Sequence, residues 1–558
     1  MMGARSGATD PAEGSQGGQL ARRAGVVSAA VFLSRILGVV REQTFAALFG
    51  AGRELDAFVT AFRIPNLLRD LFAEGALSAA FVSTFTQHHE RRGAAAAWRL
   101  ANLVVNALVL TLVPICLAGI FFAPAITRAI APGFTASPGK LALTVQLTRI
   151  MMPFLLLVAL AALAMGILNT RNRFGIPALA SAFFNLGSIV GGLACAWWFA
   201  PAYLRSVLAS LGGTPAPDPA GAERAIIGMA IGTLIGGFLQ LVVQFPSLRQ
   251  VGFRYRPILD LNDAGVHQVV RLMGPATIGA AAVQINVFVN SNFASYLGDG
   301  PVSWLNVAFR FMQLPIGLFG VAVGTVALPT LSRHVAREDL TALRATLRQA
   351  LALTALLSIP AAAALALFGV PIIGLVYEHG HFHRSDTTAA AGALAGYAFG
   401  LAGYAGIKVV TPAFYALSDA RTPMRVALAS IGVNLVLNWL FVRVFGLAHV
   451  GLAVSTSLVA LANFGLLAGI LARRVGPFGA GLAGEIGRIA AAAAAMLTAT
   501  VVVDQTIARG VSLTGAAQYG LRVCALLLVG MPTYYLACRV LGVRVPALRR
   551  RAAPRPPS

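Results

Sequence analysis

Runs of about 20 mostly apolar residues follow one another along almost the whole chain, each long enough to cross roughly 30 Å of hydrocarbon as a helix. Inside a bilayer every backbone N–H and C=O must find its partner within the protein, so such runs can fold only as spanning helices. About fourteen can be counted in the 558 residues. They give the chain a mean hydropathy of +0.76, with 57% hydrophobic and only 11% charged residues, where soluble domains carry about a quarter charged. The expected fold class is an all-α polytopic membrane protein. A formal charge of +23 would suit nucleic acid, but the Lys and Arg stand in short links and form no aromatic-interleaved patch, so no nucleic-acid partner is expected. Cys116, Cys195, Cys524 and Cys538 lie in or beside apolar runs without ligand spacing. They read as buried thiols, not as disulfides or metal ligands.

The links alternate in charge. "HHERRGAAAAWR", "NTRNRFG", "RQVGFRYRP", "SDARTPMR" and "ARRVG" are basic, whereas "GAGRELD", "APGFTASPGK", "YLGDGP" and "GLAHV" carry one Lys or Arg or none. The positive-inside rule puts the basic links and both termini in the cytoplasm, with an even number of spans. Residues 1–23, small and polar with no apolar core, read as a disordered cytoplasmic tail, and 545–558 as a basic one. "YEHGHFHRSD" falls outside, where His379, His381 and His383 read as a solvated, titrating loop rather than a metal site.

The chain also repeats itself. "AFRIPNLLRDLFAEGALSAAFVSTFTQH" from Ala61 matches "AFRFMQLPIGLFGVAVGTVALPTLSRH" from Ala308, and "ASAFFNL" from Ala180 matches "ASIGVNL" from Ala429 at nearly the same offset. Two distant matches at one spacing imply two parallel-related, pseudo-symmetric six-helix lobes, 24–250 and 265–475, followed by two unmatched helices over 484–544. Such halves around a central site are the usual architecture of an alternating-access transporter.

Charges inside these runs point to a site. A charged side chain at the bilayer centre costs at least ~2.5–3.5 kcal/mol on insertion scales, so it normally faces a cavity or a partner. In the first helix Ser34 and Arg41 share one stripe and Arg35 and Glu42 the next, which makes one polar face around Gly38. In the second helix Asp56, Arg63, Asp70 and Glu74 share a stripe, with Arg69 to one side. At 1.5 Å per residue, Arg41, Arg63 and Arg310 each fall ~12 Å below the outer surface, and Arg35 and Arg69 near the midplane. Arg149 and Lys408 add further positive charge. Arginine's planar fork suits phosphate oxygens, so the arginines read as an anion site. Glu42, Asp70 and Glu74 read equally as ion-pair partners or functional carboxylates, and Asp56 also as an exposed cap at the outer end. Pro65, beside Asn66, and Pro315 are expected to kink their helices.

"SRILGVVRE", "FGAGRELDAFVTAFRIPNLLRDLFAEGALSAAFV" and "VAFRFMQLPIGLFGVAVGTVALPTLS" resemble the MurJ (MviN) family of lipid II flippases, in the multidrug/oligosaccharidyl-lipid/polysaccharide (MOP) exporter superfamily. The resemblance covers essentially the whole chain. It implies a MATE/MOP-like transporter of the bacterial inner membrane that moves undecaprenyl-pyrophosphate-linked disaccharide-pentapeptide to the outer leaflet for cell wall synthesis. The family's essential arginines carry over to Arg35, Arg41, Arg69 and Arg310. Arg63 takes a position where Lys also occurs, and Asp56 and Glu74 match family positions. Glu42 stands where Asp is common, and Phe309 where some members have Asp. Asn434 and Asn438 resemble part of a family cation site whose carboxylate is missing here, so no metal is expected. The resemblance implies no cofactor, with transport coupled to the membrane potential or a monovalent ion.

Two other transporter readings share these features. A flippase for another undecaprenyl-linked glycan would use the same phosphate chemistry. A MATE-type multidrug or cation exporter would need an acidic or aromatic cavity, and here arginine is in excess. An enzyme is not expected, since no nucleotide loop, nucleophile elbow or zinc spacing occurs.

Overall fold

The computed structural model describes residues 11–72, 76–209, 218–479, 481–510 and 513–543. Among these residues every regular element is a helix. Ten helices are long and apolar enough to cross a membrane, and eleven if Arg384–Ala398 and Leu401–Ala416, which meet at 43°, form one broken span. The long helices Pro11–Phe49, Arg53–Phe72 and Ala264–Ser295 fall outside that set. Arg35, Arg41 and Glu42 interrupt the first and Arg63, Arg69 and Asp70 the second, so an apolar test yields fewer spans than the fourteen runs read from the sequence. The first helix begins at Pro11, inside the segment 1–23 expected to be disordered. Proline loses no hydrogen bond in a first helical turn, and the Ala, Glu, Gln and Leu that follow are good helix formers. Glu74 and the basic tail 545–558 lie outside the described residues.

The chain forms two compact units, one running to Ser303 and including His379–Phe382, the other made of Trp304–Glu378 and the chain from His383. In the first unit, helices Gly175–Phe199 and Pro219–Val242 approach closely enough to require glycine. Gly228, Gly232 and Gly236 are four apart and so line one face. A Cβ on Gly232 would lie 2.2 Å from Gly192 Cα, and one on Gly236 2.4 Å from the Phe184 carbonyl oxygen. Stripes of small residues bring helix backbones together where lipid supplies no hydrophobic drive between them. Phe45, Phe49, Phe58, Leu147, Tyr203 and Met229 form one apolar core here, and Phe81, Phe85, Leu100 and Leu168 another.

The loop His379–Phe382 packs on the end of the first helix. The His381 amide donates to the Ala47 carbonyl at 2.9 Å, and its ring stacks on Tyr203 at 5.8 Å with Nδ1 2.7 Å from the Leu48 carbonyl oxygen. His381 is therefore half-buried, unlike the solvated loop expected, while His379 and His383 are exposed. Among the described residues no group of three or more His, Cys, Asp or Glu is placed to hold a metal.

In the second unit, Leu331, Leu343, Leu347, Val409, Phe414 and Leu471 form the main core. The helix Pro301–Pro315 gives way at Pro315 to a π-helical turn, Ile316–Val321, before α-helix resumes over Ala322–Ala336. Proline cannot donate a backbone hydrogen bond, and a π-turn absorbs the resulting slip of register. Just beyond, Gly324 presses against Leu401–Ala416, where a Cβ would lie 2.1 Å from the Lys408 carbonyl oxygen. All four cysteines are free thiols. Cys116 and Cys538 are buried, but Cys524 is exposed, contrary to the reading of all four as buried.

Candidate functional site

The charged stripe of the second helix, Arg53–Phe72, has a matching stripe on Ala264–Ser295. Seven residues make about two turns, so Asp56, Arg63 and Asp70 share a face, as do Gln284 and Ser291. Arg63 Nη1 meets Ser291 Oγ, and Gln284 Nε2 donates to Asp70 Oδ2 at 2.9 Å. As numbers rise on one helix they fall on the other, so the two run antiparallel as a polar ladder. Arg69 turns aside from it and pairs with Asp70 through Nε at 3.2 Å and Nη2 at 2.9 Å. Pro65 lies inside this helix, and the neighbouring Asn66 leaves its side-chain oxygen buried without a partner among the described residues.

Asp56 ends the ladder and is completely buried, not an exposed cap. Its carboxylate accepts from the amides of Gly300 at 2.7 Å and Ser303 at 2.8 Å, and from Ser303 Oγ at 2.6 Å. Those amides open the helix Pro301–Pro315, whose first N–H groups have no partner within the helix, so Asp56 caps it from another segment. Lys140 Nζ, equally buried, donates to Asp56 at 2.9 Å and to Asp299 at 2.7 Å, and lies 4.1 Å from the centre of the Phe134 ring.

The first helix, Pro11–Phe49, faces Gly175–Phe199. The Ser34 carbonyl accepts from Asn185 Nδ2 at 3.0 Å, and a Cβ on Gly38 would sit 3.5 Å from the same nitrogen. Arg41 pairs with Glu42 at 3.4 Å and lies 5.0 Å from the centre of the Phe184 ring, an arrangement that holds a guanidinium by its flat face. Arg35 is exposed and makes no ion pair among the described residues.

In the second unit Arg310 is exposed on Pro301–Pro315, two turns before the π-helical turn. Phe309 packs edge-on against Tyr397 at 5.5 Å, a contact that accounts for an aromatic residue at this position. Lys408 is exposed on Leu401–Ala416. Asn434 and Asn438 are buried, and their side-chain oxygens lie 2.9 and 2.5 Å from Ser455 Oγ, whose single hydroxyl hydrogen they share. Arg149, in the first unit, is exposed and reaches the Ile120 carbonyl at 3.3 Å.

Within the first unit, then, Arg63, Arg69, Asp70 and Asp56 lie on one helix and Arg41 and Glu42 beside each other on another. Lys140, Gln284, Ser291, Phe184 and Asn185, which hold them, were not singled out from the sequence. Gln284 and Ser291 did carry a signal, two polar residues seven apart in an apolar run. Lys140 carried none, because it stands in a link 84 residues from Asp56.

The family model described as "Lipid II flippase MurJ" matches residues 45–519. The chain belongs to the lipid II flippase MurJ family. It is 36% identical over 445 residues to the lipid II flippase MurJ of Burkholderia cenocepacia, covering 79% of this chain and 81% of that protein. To a probable lipid II flippase MurJ of Vibrio cholerae it is 33% identical over 532 residues, covering 94% and 96%. Among solved structures it is similar to a lipid II flippase MurJ in an inward closed conformation, with a TM-score of 0.73 at 26% identity over 92% of this chain and 99% of the other. An inward-facing MATE family multidrug transporter of the MOP superfamily shares the fold, with a TM-score of 0.62 at 14% identity over 81% and 98%. The chain is thus a multi-pass membrane protein of this flippase family.

Proposed function

We propose that this protein moves lipid II, an undecaprenyl pyrophosphate carrying a disaccharide-pentapeptide, from the cytoplasmic to the outer leaflet of the inner membrane by alternating access. Membership of the MurJ family over residues 45–519 carries this reading. It is supported by the arginines placed inside otherwise apolar helices, where charge is costly and usually functional. Arg35, Arg41, Arg69 and Arg310 replace water around the pyrophosphate oxygens, and each presents a planar fork that a phosphate accepts in two places. Ser34 and Arg63 extend the polar lining. Asp70 and Glu42 hold Arg69 and Arg41 in orientation, as their ion pairs at 2.9 and 3.4 Å suggest. Asp56 fastens the start of Pro301–Pro315, and the π-turn after Pro315 and the proline at 65 supply bending points. The polyprenyl tail stays in lipid throughout, and no bond is made or broken.

The basic links set both termini in the cytoplasm, and the repeat divides the chain into halves 24–250 and 265–475. A potential negative inside favours outward movement of an anion by ~2.3 kcal/mol per charge per 100 mV, so the potential supplies much of the drive. The test is flipping of labelled lipid II by the purified protein in vesicles. The proposal expects flipping that speeds up when an inside-negative potential is imposed. Absence of flipping would overturn the function; flipping indifferent to the potential would overturn the drive; and equal flipping of an undecaprenyl pyrophosphate with an unrelated glycan would overturn the head-group assignment.

A further inference from the structure

The second unit contains a cavity of about 880 Å³ well away in sequence from every residue assigned above. Arg344 and Arg348, one turn apart at the start of Leu340–Leu367, and Arg488, near the start of Leu482–Gly510, line it. Among the described residues Glu485 is the only carboxylate in the lining, and it lies 3.6 Å from Arg348. Two positive charges are left over.

Arg344 and Arg488 are held in place by neutral acceptors. Arg344 Nε donates to the Leu340 carbonyl at 3.1 Å, and Arg488 Nη1 to those of Leu541 and Gly542 at 3.4 and 3.5 Å. Glycines make room for them: a Cβ on Gly476 would lie 2.8 Å from Arg344 Nη1, and one on Gly481 2.6 Å from Arg348 Nη2. Leu353, Leu356, Ile489 and Val543 form an apolar wall on the same cavity, and Leu536 and Val540 on the adjoining last helix are exposed. The cavity is therefore amphipathic, with a cationic mouth and a greasy side. Its two helix starts follow or lie in "RHVAREDLTALRATLR" and "ARRVG", basic links that positive-inside topology puts at the cytoplasmic surface, where anionic head groups concentrate and basic pockets between spanning helices recognise them.

We propose that this cavity binds the phosphate head group of an anionic membrane lipid through Arg344, Arg348 and Arg488, with an acyl chain along the Leu353, Leu356 and Ile489 wall. It tethers the two C-terminal helices to the rest of the unit and is independent of the transport reading, because its assay measures bound lipid and not flipping. Full-length protein in mild detergent is titrated with phosphatidylglycerol, phosphatidylcholine or inorganic phosphate, and bound molecules are counted by native mass spectrometry. Phosphatidylglycerol is expected to bind at least tenfold more tightly than phosphatidylcholine and to resist displacement by millimolar phosphate. Arg344→Gln/Arg348→Gln/Arg488→Gln is expected to lose that preference, and Glu485→Gln, which removes the opposing charge, to strengthen binding severalfold. Equal binding of the two lipids, displacement by phosphate alone, or unchanged binding in the triple variant would overturn the proposal. Should the triple variant not fold, failure of Glu485→Gln to strengthen binding overturns it alone.

Discussion

Replacing Asp56 by alanine removes the acceptor of four hydrogen bonds at 2.6–2.9 Å, all in a place with no water access to either Asp56 or Lys140. Two amides at the start of Pro301–Pro315 lose their partner, at about 1–3 kcal/mol for each buried donor left unmade. Lys140 loses one of its two carboxylates, and breaking a buried ion pair from one side costs about 3–5 kcal/mol. Asp299 remains, but its side chain is 45% exposed and so shares its charge with solvent. These costs overlap, and about 3–5 kcal/mol is expected for Asp56→Ala overall. Lys140→Met should cost less, because Asp56 keeps the Gly300 and Ser303 donors. In the double variant no stranded cation remains, so its cost should fall short of the sum of the singles by about 1–3 kcal/mol. Denaturant unfolding of the four proteins in detergent measures the cycle. Additive costs, or Asp56→Ala within about 0.5 kcal/mol of the parent, the range of ordinary surface changes, would refute the reasoning.

Gly232→Leu is expected to destabilise the protein by at least about 1–3 kcal/mol, the range for overpacking, because the side chain would enter the space of the Gly192 backbone. Gly432→Ala, with nothing within 4 Å of the new Cβ, should be neutral or stabilising by up to about 1 kcal/mol; thermal unfolding of both separates close packing from helix propensity. The Thr422 hydroxyl and amide, and then Arg474, hold the Asp419 carboxyl well below the usual carboxylate range. Its contribution is complete above the ordinary aspartate value near 3.9 and disappears as pH falls through the lowered folded value. The protection of 418–422 against hydrogen exchange, taken relative to the intrinsic rate at each pH, should therefore hold steady from pH 7 to about 4 and fall below that, and Asp419→Asn should abolish the acid-dependent loss.

Spanning helices were legible because bilayer physics permits few alternatives to a long apolar run. The stripes on the first two helices were legible because helix periodicity is local: Asp56, Arg63 and Asp70 had to share a face wherever that face pointed. What the face met was not local. Lys140 looked like the lone cation of an outer link, and its burial between Asp56 and Asp299 depends on chain segments far apart in sequence. His379, His381 and His383 looked alike, yet only His381 is tucked against Tyr203, because Gly380 and Gly50, with φ of +59° and +62°, let two backbones approach within the space of a Cβ. Pro315 announced a bend, but not the π-turn that takes it up nor the close packing of Gly320 and Gly324 against Leu401–Ala416, a helix much further along the chain.

The central claim is that Arg35, Arg41, Arg69 and Arg310 bind the pyrophosphate. Its most direct test replaces each by alanine in cells depleted of their own flippase, at matched expression, scoring growth and the leaflet that holds lipid II. The account predicts that the variants fail to support growth and leave lipid II in the inner leaflet. Full rescue by all four, with lipid II reaching the outer leaflet at the parental rate, would contradict it.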